Sequence, residues 1–338
     1  MSAKSFPRTS PTKNSCDRMP YPSEKIAAIK RAAGYFRGSL ERCCICPRIC
    51  RVDRMSGQAG YCRAGRDARV YSYSAHHGEE PVLSGERGSG TIFFSRCNMK
   101  CAYCQNYHFS RMDQGEDVSV ERLSEMMLEL REKGCHNINL VNPTHYLPQI
   151  VSAIDIAAST GLDLPIVYNT SGYELAQTLR AMDGVIDIYL PDMRYSDSGM
   201  SLKYSDGPAY PAMNREAVLE MHRQVGTLVT GRDGIAERGL IIRLLVLPKG
   251  ISGTKETLRF IADKVSPDTY LSIMSQYYPT FRAHDFPELS SIVSVEEYDK
   301  VVDEAALLGL NNGWIQDKPV DMDRRYLGTS IKPGRDVK

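Results

Sequence analysis

The sequence predicts an α/β protein: a parallel β/α barrel of six units, or part of one, preceded by a cysteine-rich loop segment and an N-terminal helix. Three observations point there. Six short, almost wholly apolar runs recur along the chain, amphipathic helical patterns separate most of them, and each run ends in small or polar residues. Short apolar strands alternating with helices are the pattern of repeated βαβ units and a parallel sheet. A doubly wound open sheet is the competing architecture.

Taken in order, residues 1–22 are polar and rich in Pro and Ser and read as a flexible tail. A helix is expected from Ser23, its N-cap, with Ile26, Ile29, Ala33 and Phe36 on one face. The stretch CCICPRICRVDRMSGQAGYC (43–62) has Pro, Gly and charge without periodicity, which suits a loop around a metal. Residues 23–66 are therefore expected to form an N-terminal helix and a Cys-rich segment with a candidate metal site, 67–325 the barrel, and 326–338 a C-terminal tail. The strands are TIFFS (91–95), NINLV (137–141), PIVYN (165–169), IDIYL (186–190), LIIRLLVL (240–247) and YLSIMSQY (270–277). Helices are expected over 120–133, 147–159, 173–182, 214–226, 255–264 and 296–308.

Composition narrows the function. Of 338 residues, 42% are apolar and 25% charged, as in an ordinary globular chain. A formal net charge of +1 gives no global field toward nucleic acid or acidic lipid, so neither is an expected partner. No apolar run reaches the length of a membrane span, and MSAKSFPRTSPTKNSCDRMPYP has no signal-peptide core, so a cytoplasmic location is expected. Eight of the ten cysteines fall into two groups, which in a reducing compartment points to metal rather than disulfides.

In parallel α/β folds the chemistry gathers at the C-terminal ends of the strands. Those ends read Cys97, NPTH (142–145), NTSGY (169–173), PDMR (191–194), Arg243 and Gln276. The first continues into Cys97, Cys101 and Cys104, a C-x3-C-x2-C triplet. Thiolates select zinc, Cu(I) or iron–sulfur clusters, and structural zinc wants four ligands. A compact triplet better suits three corners of a cuboidal [4Fe-4S] cluster, leaving one iron open to a small chelating molecule.

The triplet, with Tyr103 before its third cysteine and its place after the first strand, resembles the signature of the radical S-adenosylmethionine (SAM) superfamily. The resemblance implies a partial (β/α)6 TIM-like barrel of the radical SAM type. It implies a [4Fe-4S] cluster on Cys97, Cys101 and Cys104, SAM chelated at the open iron, and reductive cleavage to a 5′-deoxyadenosyl radical that abstracts hydrogen. A low-potential electron donor of flavodoxin or ferredoxin type is implied as partner. Carried over residue by residue, SAM contacts fall on Tyr103, Asn142, Thr144, His145, Asn169, Ser171, Asp192 and Arg243. NPTH departs from the usual Gly-Gly-Glu-Pro-like turn. The stretches GSGTIFFSRCNMKCAYCQN, EEPVLSG and IIRLLVLP most resemble proteins like the pyruvate formate-lyase activating enzyme, which implies a glycyl radical enzyme-like protein substrate. The best-understood activating enzymes lack a cysteine-rich segment before the barrel.

Three readings stay open at this point. Arg243, charged within an apolar strand, needs a partner, either the SAM carboxylate or a protein carboxylate. Cys43, Cys46, Cys50 and Cys62 are enough for zinc, an auxiliary cluster or simple packing as free thiols. The functional alternatives are a radical SAM enzyme acting on a small molecule, peptide or RNA, and a non-enzymatic, zinc-stabilised binding module.

Overall fold

A computed structural model of the protein describes residues 20–316. The expected tails lie outside the described residues except for 20–22, where the Tyr21 hydroxyl donates to the Leu164 carbonyl. Among the described residues ten strands are formed: β1 (Ala68–His76), β2 (Ser89–Phe94), β3 (Glu116–Val118), β4 (Ile138–Val141), β5 (Ile166–Thr170), β6 (Ile188–Pro191), β7 (Val229–Thr230), β8 (Ala236–Leu245), β9 (Tyr270–Met274) and β10 (Gly313–Ile315). The helices are α1 (Ser23–Phe36), α2 (Pro81–Ser84), α3 (Tyr107–Ser110), α4 (Val120–Glu132), α5 (Leu147–Ser159), α6 (Ala176–Arg180), α7 (Ser198–Ser205), α8 (Tyr210–Val225), α9 (Thr254–Phe260) and α10 (Val295–Leu307).

The sheet runs β10-β9-β8-β6-β5-β4-β2-β1-β3, with β7 paired to β8. Every pair from β10 to β2 is parallel, so the six expected strands are neighbours in the order that repeated βαβ units require. The two edge strands β10 and β3 do not pair, and the barrel is a partial one. β4, β5 and β6 are buried at every position, which explains their continuous apolar sequence.

Helix ends follow local chemistry. Ser119 caps α4 by accepting from the Arg122 N–H, and Ser294 with Glu297 forms a capping box on α10. Ser23, by contrast, is the first residue of α1 and caps nothing; Pro22 precedes it in extended backbone. α1 packs against α5, burying Ala28, Ile29, Ala32 and Phe36.

Pleating places the site. Val167, Ile188, Leu190 and Ile241 form a small apolar cluster with Leu83 and Ala236. Two residues farther along the same faces stand Asn169, Asp192 and Arg243. The period of two therefore puts an apolar plug at the lower inner face and polar side chains above it.

Candidate active site

β2 delivers its chain into the loop carrying Cys97, Cys101 and Cys104, and that loop is braced from outside. The Lys100 N–H donates to the Ser205 carbonyl at 2.9 Å and the Ala102 N–H to the Tyr204 carbonyl at 2.7 Å, both at the end of α7. Asn98 Nδ2 donates to the Tyr173 carbonyl at 2.8 Å. The three thiols open on a cavity of about 80 Å³ whose polar lining includes Asn142, Asn169, Ser171, Asp192, Arg194 and Arg243.

Backbone register makes these residues neighbours. Val141 is level with Asn169, Thr170 with Pro191, and Asp192 bridges to Arg243. Side chains then lock together. Arg243 donates through Nε to Asp192 Oδ1 at 2.8 Å and through a terminal nitrogen to Asn169 Oδ1 at 2.6 Å, with Glu79 Oε2 at 3.6 Å. Of the two partners left open for Arg243, the protein carboxylate is present. Arg194 donates to Asp192 Oδ2 at 2.6 Å and to Cys101 Sγ at 3.3 Å. Burial works against ionisation of Asp192, but Arg243 and Arg194 outweigh it and hold its carboxyl below the usual range.

The thiols themselves are set the other way. Burial pushes the Cys97 thiol up to about 12, with Cys101 adding to it and the Met99 N–H opposing. Cys104 is raised by burial and by Cys101. Thiols in this condition become ligands only when a cation takes the place of their protons. Among the described residues no three of His, Cys, Asp and Glu are spaced for a single ion, and this holds for both cysteine groups. The donor set nevertheless fits a thiolate-held cluster with an open iron: three sulfurs face one cavity, and the carboxylate in the lining, Asp192, is already engaged by two guanidiniums. The buried Ser171 hydroxyl, also in the lining, has no protein partner.

Three of the residues carried over as SAM contacts lie elsewhere. Tyr103 is buried and packs edge-on against Tyr277, at 5.8 Å between ring centres. Thr144 donates to Glu174 Oε1 at 2.5 Å. His145 is wholly buried, with Nε2 2.8 Å from the Ser95 carbonyl oxygen, and burial depresses its pKa to about 3. For Thr144 and His145 the reason is local: Asn142 takes left-handed backbone (φ 60°), and the short turn at Thr144–Tyr146 buries its own side chains.

Two carboxyls were not singled out from sequence. Glu79 is pushed up to about 7, by burial first and then by Glu80, although Arg243 pulls it down. Glu174, beneath the Thr144 turn, is likewise raised to about 7 by burial. EEPVLSG drew notice only as a resemblance, and Glu174 sits one residue past NTSGY, where a glutamate usually starts an exposed helix. In the cysteine-rich segment Cys43, Cys46 and Cys62 are buried, Cys50 is partly buried and Cys44 is exposed.

Residues 91–192 match the family model described as the Radical SAM superfamily. An uncharacterised protein of Methanocaldococcus jannaschii is 25% identical over 281 residues, covering 80% of this chain and 76% of its own. Among solved structures, a radical SAM methyltransferase from Sphaerobacter thermophilus aligns with a TM-score of 0.44 at 14% identity, over 67% of this chain and 65% of that one. A methylornithine synthase aligns with a TM-score of 0.44 at 15% identity, over 71% of this chain and 75% of that one.

Proposed function

Because residues 91–192 match the Radical SAM superfamily model, we propose that the protein is a radical SAM enzyme working in the cavity at Cys97, Cys101 and Cys104. The single observation that carries this is the meeting of three thiols with a polar rim at the C-terminal ends of parallel strands. When bound there, a [4Fe-4S] cluster and SAM would supply a 5′-deoxyadenosyl radical for hydrogen abstraction. The chain's own part is to bind and orient. Cys97, Cys101 and Cys104 hold the cluster, and Arg194 donates to Cys101 sulfur. Asn142, Asn169, Ser171, Asp192 and Arg243 form the polar wall for SAM. The apolar plug of Val167, Ile188 and Ile241 closes the floor against water.

The substrate is read as a protein or peptide, in the manner of the pyruvate formate-lyase activating enzyme, with a flavodoxin- or ferredoxin-type donor in the cytoplasm. What supports this is that the three stretches bearing the resemblance converge on the same site. Glu79 of EEPVLSG stands 3.6 Å from Arg243 of IIRLLVLP, and Arg243 and Cys101 both line the cavity. Cys43, Cys46, Cys50 and Cys62 are read as a second metal site, structural zinc or an auxiliary cluster.

The test is anaerobic purification with iron and sulfide counting, followed by dithionite-dependent formation of 5′-deoxyadenosine from SAM. Activity should fall to background in Cys101→Ala. Protein that takes up no iron on reconstitution, or cleavage that persists in Cys101→Ala, would overturn the reading. A glycyl-radical signal raised on a candidate partner would identify the activating role.

A further inference from the structure

Arg54 is 3% exposed, and among the described residues no carboxylate lies within ion-pair distance of it. Its terminal nitrogens donate to the His145 carbonyl at 2.6 Å, to Cys43 Sγ at 2.9 Å and, more weakly, toward Cys62 Sγ at 3.8 Å. Its Nε is buried without a partner. A guanidinium keeps its charge at any working pH, and a buried cation without a counter-charge is costly. Neutral thiols do not supply one. We infer that Cys43, Cys46, Cys50 and Cys62 hold an iron–sulfur cluster as an anionic tetrathiolate centre, and that Arg54 is its counter-cation. This rests on the second-metal reading above and is independent of the chemistry at Cys97–Cys104.

The surroundings of the sulfurs agree. The Tyr61 N–H donates to Cys50 Sγ at 3.4 Å. Hydrogen bonds of this kind favour the charged form of sulfur. The same device recurs in the other group, where the Met99 N–H donates to Cys97 Sγ at 3.4 Å. A tight hairpin frames the upstream group, with the Cys43 N–H donating to the Val52 carbonyl at 3.0 Å and the Arg51 N–H to the Cys43 carbonyl at 2.8 Å. Gly60 lies so close that a Cβ there would stand 3.0 Å from Cys50 Sγ. Arg54 also joins the centre to the cavity, since it holds the His145 carbonyl while the His145 ring holds the Ser95 carbonyl. Two residues later the chain reaches Cys97.

No three of these side chains are spaced for a single ion, so the centre that fits is an iron–sulfur cluster rather than zinc, and counting tests this. Full-length protein carrying Cys97→Ala, Cys101→Ala and Cys104→Ala together is purified anaerobically, so the first site contributes no metal. The expected content is about four iron with matching sulfide per chain, and about one zinc in place of iron overturns the cluster. Adding Cys46→Ala should abolish it. Arg54→Met should speed release to a chelator at least ~10-fold, and Arg54→Lys should restore most of the retention. A folded triple variant that holds no iron after anaerobic reconstitution overturns the centre. Full metal retention in Cys46→Ala does the same. Metal present but released equally fast from Arg54→Met and the parent overturns the role of Arg54. If Arg54→Met does not fold, Arg54→Gln, which removes the charge but keeps hydrogen-bond donors, takes its place, and release from it at the rate of the parent overturns that role instead. Wild-type protein that never cleaves SAM would remove the reading of the first cavity and leave these counts unchanged.

Discussion

Glu174 is a buried carboxyl supported by hydroxyls: it accepts from Thr144 at 2.5 Å and from Thr170. Burial raises its pKa from 4.5 to about 7 while these hydrogen bonds pull the other way. The folded chain thus keeps a proton that the unfolded chain releases across that interval. The stability linked to this proton is fully present below 4.5 and lost as pH rises through about 7. Glu174→Gln should therefore gain on the wild type between pH 5 and pH 8, by up to ~3 kcal/mol at ~1.4 kcal/mol per pKa unit. Urea unfolding at both pH values measures this, and an equal gap at the two would sink the assignment. His145 works in the opposite sense, its depressed pKa costing stability as pH falls from 6.5 toward about 3. At this scale the sequence was informative about type and position but not direction. Asn142, Asn169, Ser171, Asp192 and Arg243 were legible as strand-end polar residues. Thr144 and His145 satisfied the same criterion, but a left-handed residue before them turned them into the protein.

Among elements, the parallel strands were readable because burial on both faces demands unbroken apolar runs, as INLV and IVYNT show. β1 was not. In ARVYSYSAH only Ala68 and Val70 are buried, and a mixed, half-exposed ribbon leaves a weak pattern. α7 was missed for a related reason: SGMSLKYS buries Ser201, Tyr204 and Ser205, which form no apolar stripe. Yet that helix supplies the carbonyls that brace the cysteine loop. The turn after β5 is equally demanding. Gly172 has φ of 72°, and a Cβ there would lie 2.4 Å from the Asp192 carbonyl oxygen and 2.1 Å from Asn214 Nδ2. Gly172→Ala should destabilise the fold by about 1–3 kcal/mol from backbone strain alone and weaken SAM binding by displacing Asp192. A variant within 0.5 kcal/mol of wild type, on the usual scale of neutral surface changes of about that size, would show the turn to be unconstrained.

Across the whole molecule, the N-terminal segment is a working part of the barrel rather than an appendage. Thr178 Oγ1 donates to the Ile45 carbonyl at 2.8 Å, Arg48 Nε to the Asn98 carbonyl at 2.9 Å, and Lys25 pairs with Asp187. Sequence could show that cysteines 43–62 form a group of their own. It could not show that their loop touches Asn98, because that contact spans 50 residues and depends on the assembled sheet. The partial barrel itself was legible, because six apolar runs with helices between them leave few other arrangements. The seventh parallel strand, GWI, is too short to announce itself.

The cavity floor is also part of the sheet's hydrogen-bond ladder. The Asn142 N–H donates to the Asn169 carbonyl at 2.8 Å, Asp192 to Thr170 at 2.9 Å and Met193 to Arg243 at 2.9 Å. Loops that carry chemistry usually exchange their amide hydrogens early, because small openings free them. These amides can exchange only when the central strands separate. In deuterium-exchange measurements Asn142, Asp192 and Met193 should persist alongside the strand interiors, and early loss at these positions would show the floor opening by itself. A site built this way keeps time with the core of the protein: its geometry lasts as long as the fold does.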